Sequence, residues 1–171
     1  MKRLLLNLFI LLQVSISMAQ KYEPTWRSLD NRPIPQWFTD AKFGIFIHWG
    51  LFSVPSWATN SNADGFGSNY AEWYWERLNN TKLKIHKEFV DFHHKTYGPD
   101  FKYQDFAPKF TCELFNPDQW EKKKKNSGAR YVVLTSKHHD GFTLWPSREA
   151  WNWNAVDAGP HRDLAGDLSI A

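Results

Sequence analysis

Three stretches of this chain carry the residue types that bind or transform a polar ligand. Phe43-Gly-Ile-Phe-Ile-His-Trp-Gly50 runs apolar into His48 and Trp49 and then a glycine turn. Arg130-Tyr-Val-Val-Leu-Thr-Ser-Lys-His-His-Asp-Gly-Phe142 repeats the design with His138 and His139, and Glu72-Trp73 sits in an aromatic stretch between them. Imidazoles and a carboxylate donate and accept hydrogen bonds, whereas indole offers a flat apolar face. Together they suit a sugar, whose ring has C–H faces and a rim of hydroxyls. Ten tryptophans in 171 residues, several beside His, Glu or Asn, strengthen that reading, although any one of them could serve the core instead.

Such side chains need elements to position them. An apolar strand flanked by helices, with polar groups at its carboxyl end, is where parallel α/β folds put their chemistry. Residues 43–48 and 129–136 are expected to be two such strands, buried on both faces. A long loop over 50–67 should follow the first, and helical segments are expected at 70–78 and from Lys82 to Tyr97, stopping at Gly98-Pro99. Asn116-Pro117 reads as a capped helix start, with the helix running to about Ser127 and closing on Gly128. That helix lacks an apolar stripe after Trp120, because Lys122-Lys-Lys-Lys125 occupies it; the run reads as a solvated face. A short helix around Trp37-Phe38 is expected to pack under the first strand, and another begins near Asp163.

The chain is 42% hydrophobic, enough for one good-sized core. Met1 to Gln20 has a basic start, an apolar stretch and small residues at Ser17 and Ala19, the pattern of a secretory signal cleaved after Ala19. Two of the 21 basic residues, Lys2 and Arg3, lie in that segment, so the remainder is within one charge of neutral and gives no reason to expect nucleic acid. No membrane partner is expected once the signal is removed. Cys112 is the sole cysteine, which excludes an internal disulfide, and its setting reads as packing. Asn79-Asn80-Thr81 fits the glycosylation pattern of exported eukaryotic proteins.

His138-His139-Asp140 also admits a metal-dependent hydrolase, but successive strand residues point to opposite faces, so one ion could take both histidines only across a sharp turn. His93-His94 and His86 read as helix surface or packing groups. No cofactor is called for.

Beyond these local patterns, Ala41-Lys-Phe-Gly-Ile-Phe-Ile-His-Trp-Gly-Leu-Phe-Ser-Val-Pro55, Glu72-Trp73, the segment from Tyr131 to Ser147, and Trp151-Asn-Trp-Asn through Gly159-Pro-His-Arg-Asp163 resemble the α-L-fucosidases of glycoside hydrolase family 29. The resemblance covers nearly all of the chain after the leader. It implies an α/β fold, a partial (β/α) TIM-like barrel holding the first few βα units over residues 20–171, and removal of terminal α-L-fucose from fucosylated glycans with retention of configuration. His48, Glu72, Trp73, His138 and His139 would then line the fucose pocket as substrate-binding groups. Retaining glycosidases use two carboxyl groups about 5–5.5 Å apart. The resemblance puts the nucleophile on a later strand, so no catalytic residue is assigned within the chain, with Glu72 the one group that could take part in proton transfer. A complete barrel takes about 250 residues. The alternative is a fucose-binding remnant without catalysis. Export would place the protein in a periplasm, outside the cell or in a lysosome.

Overall fold

The computed structural model describes residues 22–171, which fall into two units divided between Asp40 and Ala41. The expected signal segment, 1–19, lies outside the described residues.

The first unit is a proline-punctuated arm with short helices. Helix α1 (Trp26–Leu29) is capped by Thr25, whose hydroxyl accepts from the Ser28 N–H at 3.3 Å. Helix α2 (Gln36–Ala41) follows Pro33 and Pro35 and carries Trp37 and Phe38 edge to face, their rings 5.7 Å apart. Both keep large exposed areas, 61% and 47%.

The second unit is built around two parallel strands, β1 (Gly44–Ile47) and β2 (Tyr131–Leu134), in the register Gly44↔Tyr131 to Ile47↔Leu134. Both are short runs of β-branched, aromatic and aliphatic residues. The ladder is extended at each end by Arg130 N–H to Phe43 O and Thr135 N–H to Ile47 O, each 2.9 Å. Glycine at 44 has a steric cause: a Cβ there would lie 2.3 Å from the Tyr131 ring, which crosses the backbone at that point.

Parallel strands need a crossover, and here it is long. A 3-10 turn (Leu51–Ser53) follows β1, then a second (Ala71–Trp73) leads directly into α3 (Tyr74–Asn79). Helix α4 (His86–Tyr97) begins four residues later than the sequence suggests, after a pair of turns, and ends at Gly98 as expected. A 3-10 segment (Tyr103–Lys109) and α5 (Pro117–Asn126) complete the connection. The core gathers in this crossover and in the segment after β2. Tyr74, Ile85, Phe89, Phe106, Leu51, Leu144 and Leu164 are essentially inaccessible, and Tyr74 packs ring to ring on Phe89, Phe92, His93 and Phe106. Helix α6 (Leu164–Ile170) is capped by Asp163, whose carboxylate accepts from the Gly166 N–H at 2.8 Å.

Two expectations change. The strands are not buried on both faces: no position is fully buried, Phe46 is 69% exposed, and of the strand residues only Leu134 packs against the central cluster. The physical reason is that the large aromatics of the crossover pack on one another, so apolar strand composition alone does not bring a cover to each face. The second concerns α5. Its cap forms as read, with Asn116 Oδ1 accepting from the Gln119 N–H at 2.9 Å, and Gly128 takes φ +84 just past its end. The helix buries no residue; Trp120 ties it to the central cluster, its ring 5.1 Å from Trp49 and 5.0 Å from Phe115. Lys122, Lys123 and Lys125 are solvated as expected, but Lys124 is half-buried beside a hollow lined by Val132, Leu134, Ala165 and Leu168.

Candidate active site

Because β1 and β2 are parallel and in register, their carboxyl ends coincide. His48 follows β1 by one residue, and His138 follows β2 by four; their rings meet edge to face with centroids 5.9 Å apart. Past Ser136 the chain turns sharply, with Lys137 bridging to Thr143 and the turn closed by Gly141 N–H to His138 O at 3.1 Å; Gly141 adopts φ +77, which favours glycine. The turn removes the alternation that would send successive side chains apart. His138 and His139 are perpendicular at 4.7 Å, and both face Trp73, at 6.1 and 4.2 Å.

Trp73 and Glu72 arrive on the 3-10 turn before α3. The indole is backed by the Arg77 guanidinium 4.9 Å from its centroid, one helical turn further on. Arg77 is buried, ion-paired with Glu76 at 2.7 Å and donating to Gly67 O at 3.2 Å, so it is a fixed support. Phe52, also buried, meets the His138 ring at 5.4 Å. All five sequence-predicted residues therefore lie together: His48, His138 and His139 with Trp73 through ring contacts, and Glu72 through its charge on His138.

Burial lowers the His138 pKa below its ordinary 6.5, the neighbouring His139 adds to this, and the Glu72 carboxylate opposes it. Its Nδ1 is buried without a hydrogen-bond partner of normal geometry among the described residues. A neutral imidazole suits a hydroxyl ligand, since it presents one donor and one acceptor.

The turn is held from below by Asp140. Its Oδ2 accepts from the Tyr103 hydroxyl at 2.7 Å, its Oδ1 from the Phe142 N–H at 3.1 Å, and its main-chain oxygen from Trp153 Nε1 at 2.8 Å. Burial raises the Asp140 pKa against these bonds and raises that of Tyr103. With both carboxylate oxygens engaged, Asp140 is not presented as a metal ligand beside the two histidines, and no trio of His, Cys, Asp or Glu among the described residues has metal-holding geometry. His93 is a core group, with Nδ1 against the Tyr74 hydroxyl at 2.9 Å and Nε2 against Phe101 O at 2.8 Å; His86 pairs through Nδ1 with Arg77 O at 3.0 Å, and His94 is exposed.

Sequence reasoning missed Phe52, Arg77, Tyr103 and Asp140 in its supporting role. Arg77, four residues after Trp73 in a helical stretch, was the one with a usable signal. Tyr103 and Asp140 are 37 positions apart, with no pattern joining them.

With the geometry in view, comparison with known proteins gives the class. The sequence profile of the alpha-L-fucosidase family matches residues 9–171, and the chain belongs to that family. It is 51% identical over 164 residues to an alpha-L-fucosidase of Branchiostoma floridae, covering 96% of this chain and 33% of that one. It is 53% identical over 153 residues to human plasma alpha-L-fucosidase, covering 90% and 30%. Among solved structures, Thermotoga maritima alpha-fucosidase in complex with fucose superposes with a TM-score of 0.78 at 47% identity, covering 88% of this chain and 34% of that one. The chain thus spans about a third of the length of the relatives it matches. No described helix is long and apolar enough to cross a membrane.

Proposed function

We propose that this chain is the substrate-binding part of the catalytic (β/α) barrel of an exported α-L-fucosidase, a retaining glycoside hydrolase that removes terminal α-L-fucose from fucosylated glycans. His48, Glu72, Trp73, His138 and His139 form its fucose pocket. The observation that carries this reading is the convergence of one aromatic platform, three imidazoles and one carboxylate at the shared end of two parallel strands, in a member of the alpha-L-fucosidase family.

The division of labour follows from the groups. Trp73, stiffened by Arg77, receives the apolar face of the sugar; the imidazoles donate to and accept from its hydroxyls, and Glu72 accepts from a further hydroxyl. Charge-assisted bonds to a carboxylate are stronger than neutral ones, so Glu72 fixes orientation most firmly. Hydrolysis with retention needs a nucleophilic carboxylate and an acid/base carboxyl about 5–5.5 Å apart. The five residues above hold the sugar for that pair, and none of them is the nucleophile.

Turnover of an aryl α-L-fucoside by the full-length protein, with calorimetric titration of L-fucose, tests the proposal. Trp73→Ala should weaken fucose binding about tenfold or more, with Trp73→Phe retaining part of the affinity. Hydrolysis of other aryl glycosides in preference to the fucoside, or fucose affinity indifferent to Trp73→Ala, would sink it. Fucose binding without turnover would favour the non-catalytic reading.

A further inference from the structure

The lysine run of α5 is a sequence signal that the fucose pocket leaves unused. Lys122, Lys123 and Lys125 are exposed, Lys124 is half-buried, and the exposed Arg130 follows just past the helix, so five of the chain's 21 basic residues fall within nine positions. None of the five forms an ion pair among the described residues, whereas Arg77, Lys87 and Arg162 do. Lys122 and Lys125 are three residues apart, a spacing at which like charges on a helix repel. The negative end of the helix offsets part of that repulsion, and an anion laid across the lysines would reverse it. We propose that this surface is a binding site for a sulfated polysaccharide. It is separate from the fucose pocket and does not depend on it.

The patch has a seat for one acid group. A hollow of about 210 Å³ lies between the last turn of α5 and the start of β2, lined by Lys124, Lys125 and Arg130 together with Glu121 and residues 129–132. Three cations against one carboxylate leave the hollow with a positive balance. A sulfate ester carries a permanent charge and three free oxygens, one for each cation, and the arginine fork can take two of those oxygens side by side. Lys122 and Lys123, outside the hollow, are left to meet neighbouring sulfates of the same polymer. Other polyanions ask for more than charge: single-stranded nucleic acid for stacking rings, and a membrane surface for an apolar helix face. The lysine run supplies neither, and Tyr131, the ring in the lining, lies against the backbone at Gly44.

The position of the patch fits attachment. The hollow is at the amino end of β2, and His138 stands four residues past the carboxyl end. The strand thus puts its own length, about 10 Å, between the bound polymer and the histidines. A polymer held on α5 leaves the fucose pocket open.

Binding of the full chain to immobilised dextran sulfate, carboxymethyl dextran and unmodified dextran near neutral pH, with salt titrated upward, tests this. Dextran sulfate should bind tightest and unmodified dextran not at all, with affinity falling steeply as salt rises. The triple variant Lys122→Gln, Lys123→Gln, Lys125→Gln keeps helix-forming side chains at exposed positions and should bind dextran sulfate about tenfold or more weakly. Arg130→Gln should weaken it by a smaller factor. The same charge removed by Lys82→Gln, Lys84→Gln and Lys95→Gln, at three exposed lysines elsewhere, should leave binding nearly unchanged. Equal losses in the two triple variants would reduce the effect to net charge and overturn the site. Failure of the parent to bind dextran sulfate, tighter binding to carboxymethyl dextran, or preference for phosphatidylserine vesicles would overturn it as well. L-Fucose affinity should be the same in the parent and the α5 variant; a parallel fall would refute the separation of the two sites, whereas loss of fucose binding in the parent would touch the pocket alone.

Discussion

Tyr103 donates its hydroxyl proton to Asp140 at 2.7 Å from a segment 37 positions earlier, and so fastens the crossover to the turn that carries His138 and His139. The bond is shielded from solvent on the tyrosine side, where the ring is 3% exposed.

Removing that hydroxyl with Tyr103→Phe should destabilise the protein by about 1–2 kcal/mol, because Asp140 Oδ2 loses its donor while remaining largely out of water. The turn should loosen as well, and L-fucose affinity should fall severalfold with no change in which sugar is preferred. Urea denaturation and calorimetry would measure the two effects. Unchanged stability would mean that the bond contributes nothing in solution.

His138 should make stability depend on pH below neutrality. Its folded pKa is lowered, first by burial and then by His139, with His48 adding to the shift and Glu72 opposing it. The unfolded chain therefore binds the proton first as pH falls. This contribution is complete above 6.5 and is lost as pH drops from there toward the lowered value. Thermal melts of His138→Gln should show a flatter profile over that window than the parent. A parallel profile would count against the assignment.

Asp140 acts with the opposite sign. Its folded pKa is raised by burial, so its contribution is present below 3.8 and is lost as pH rises through the raised value. The two groups thus bias stability in different windows, and melts of Asp140→Asn should differ from those of His138→Gln in where the flattening occurs.

Lys124→Leu should stabilise the protein by about 1 kcal/mol, since the leucine would fill the hollow beside Val132, Leu134, Ala165 and Leu168. Leucine at Lys122, Lys123 or Lys125 should give no such gain, because those positions face water. Chemical denaturation of the four variants decides the matter, and equal effects at all four would argue against the hollow.

Burial pushes the Cys112 thiol up to about 12 against a small opposing influence from Arg162. Only the thiolate alkylates, so iodoacetamide at pH 8 should label the native protein far more slowly than the urea-unfolded chain. Equal rates would contradict the burial.

Much of the site was legible because its parts are local. Each histidine follows an apolar strand, and a strand end is readable from one run of residues; the Asn116-Pro117 start and Gly128 stop of α5 are local in the same sense. The adjacency of His138 and His139 was harder, because strand alternation argues against it, and only the Gly141 turn resolves the conflict. Supports such as Tyr103 on Asp140 join residues 37 positions apart across a long crossover, and leave no trace in residue spacing. The strand faces were misread for a related reason: apolar composition states that burial is wanted, whereas Phe46 at 69% exposure shows that a covering partner is a separate requirement.

The two-strand sheet has a further consequence for how this chain behaves in concentrated solution. Among the described residues β1 and β2 pair only with each other, so each has one edge whose backbone N–H and C=O groups no described strand takes up, and Phe46 on β1 is 69% exposed. Open edges template strand addition by other chains, and four-residue strands limit how many rungs can form.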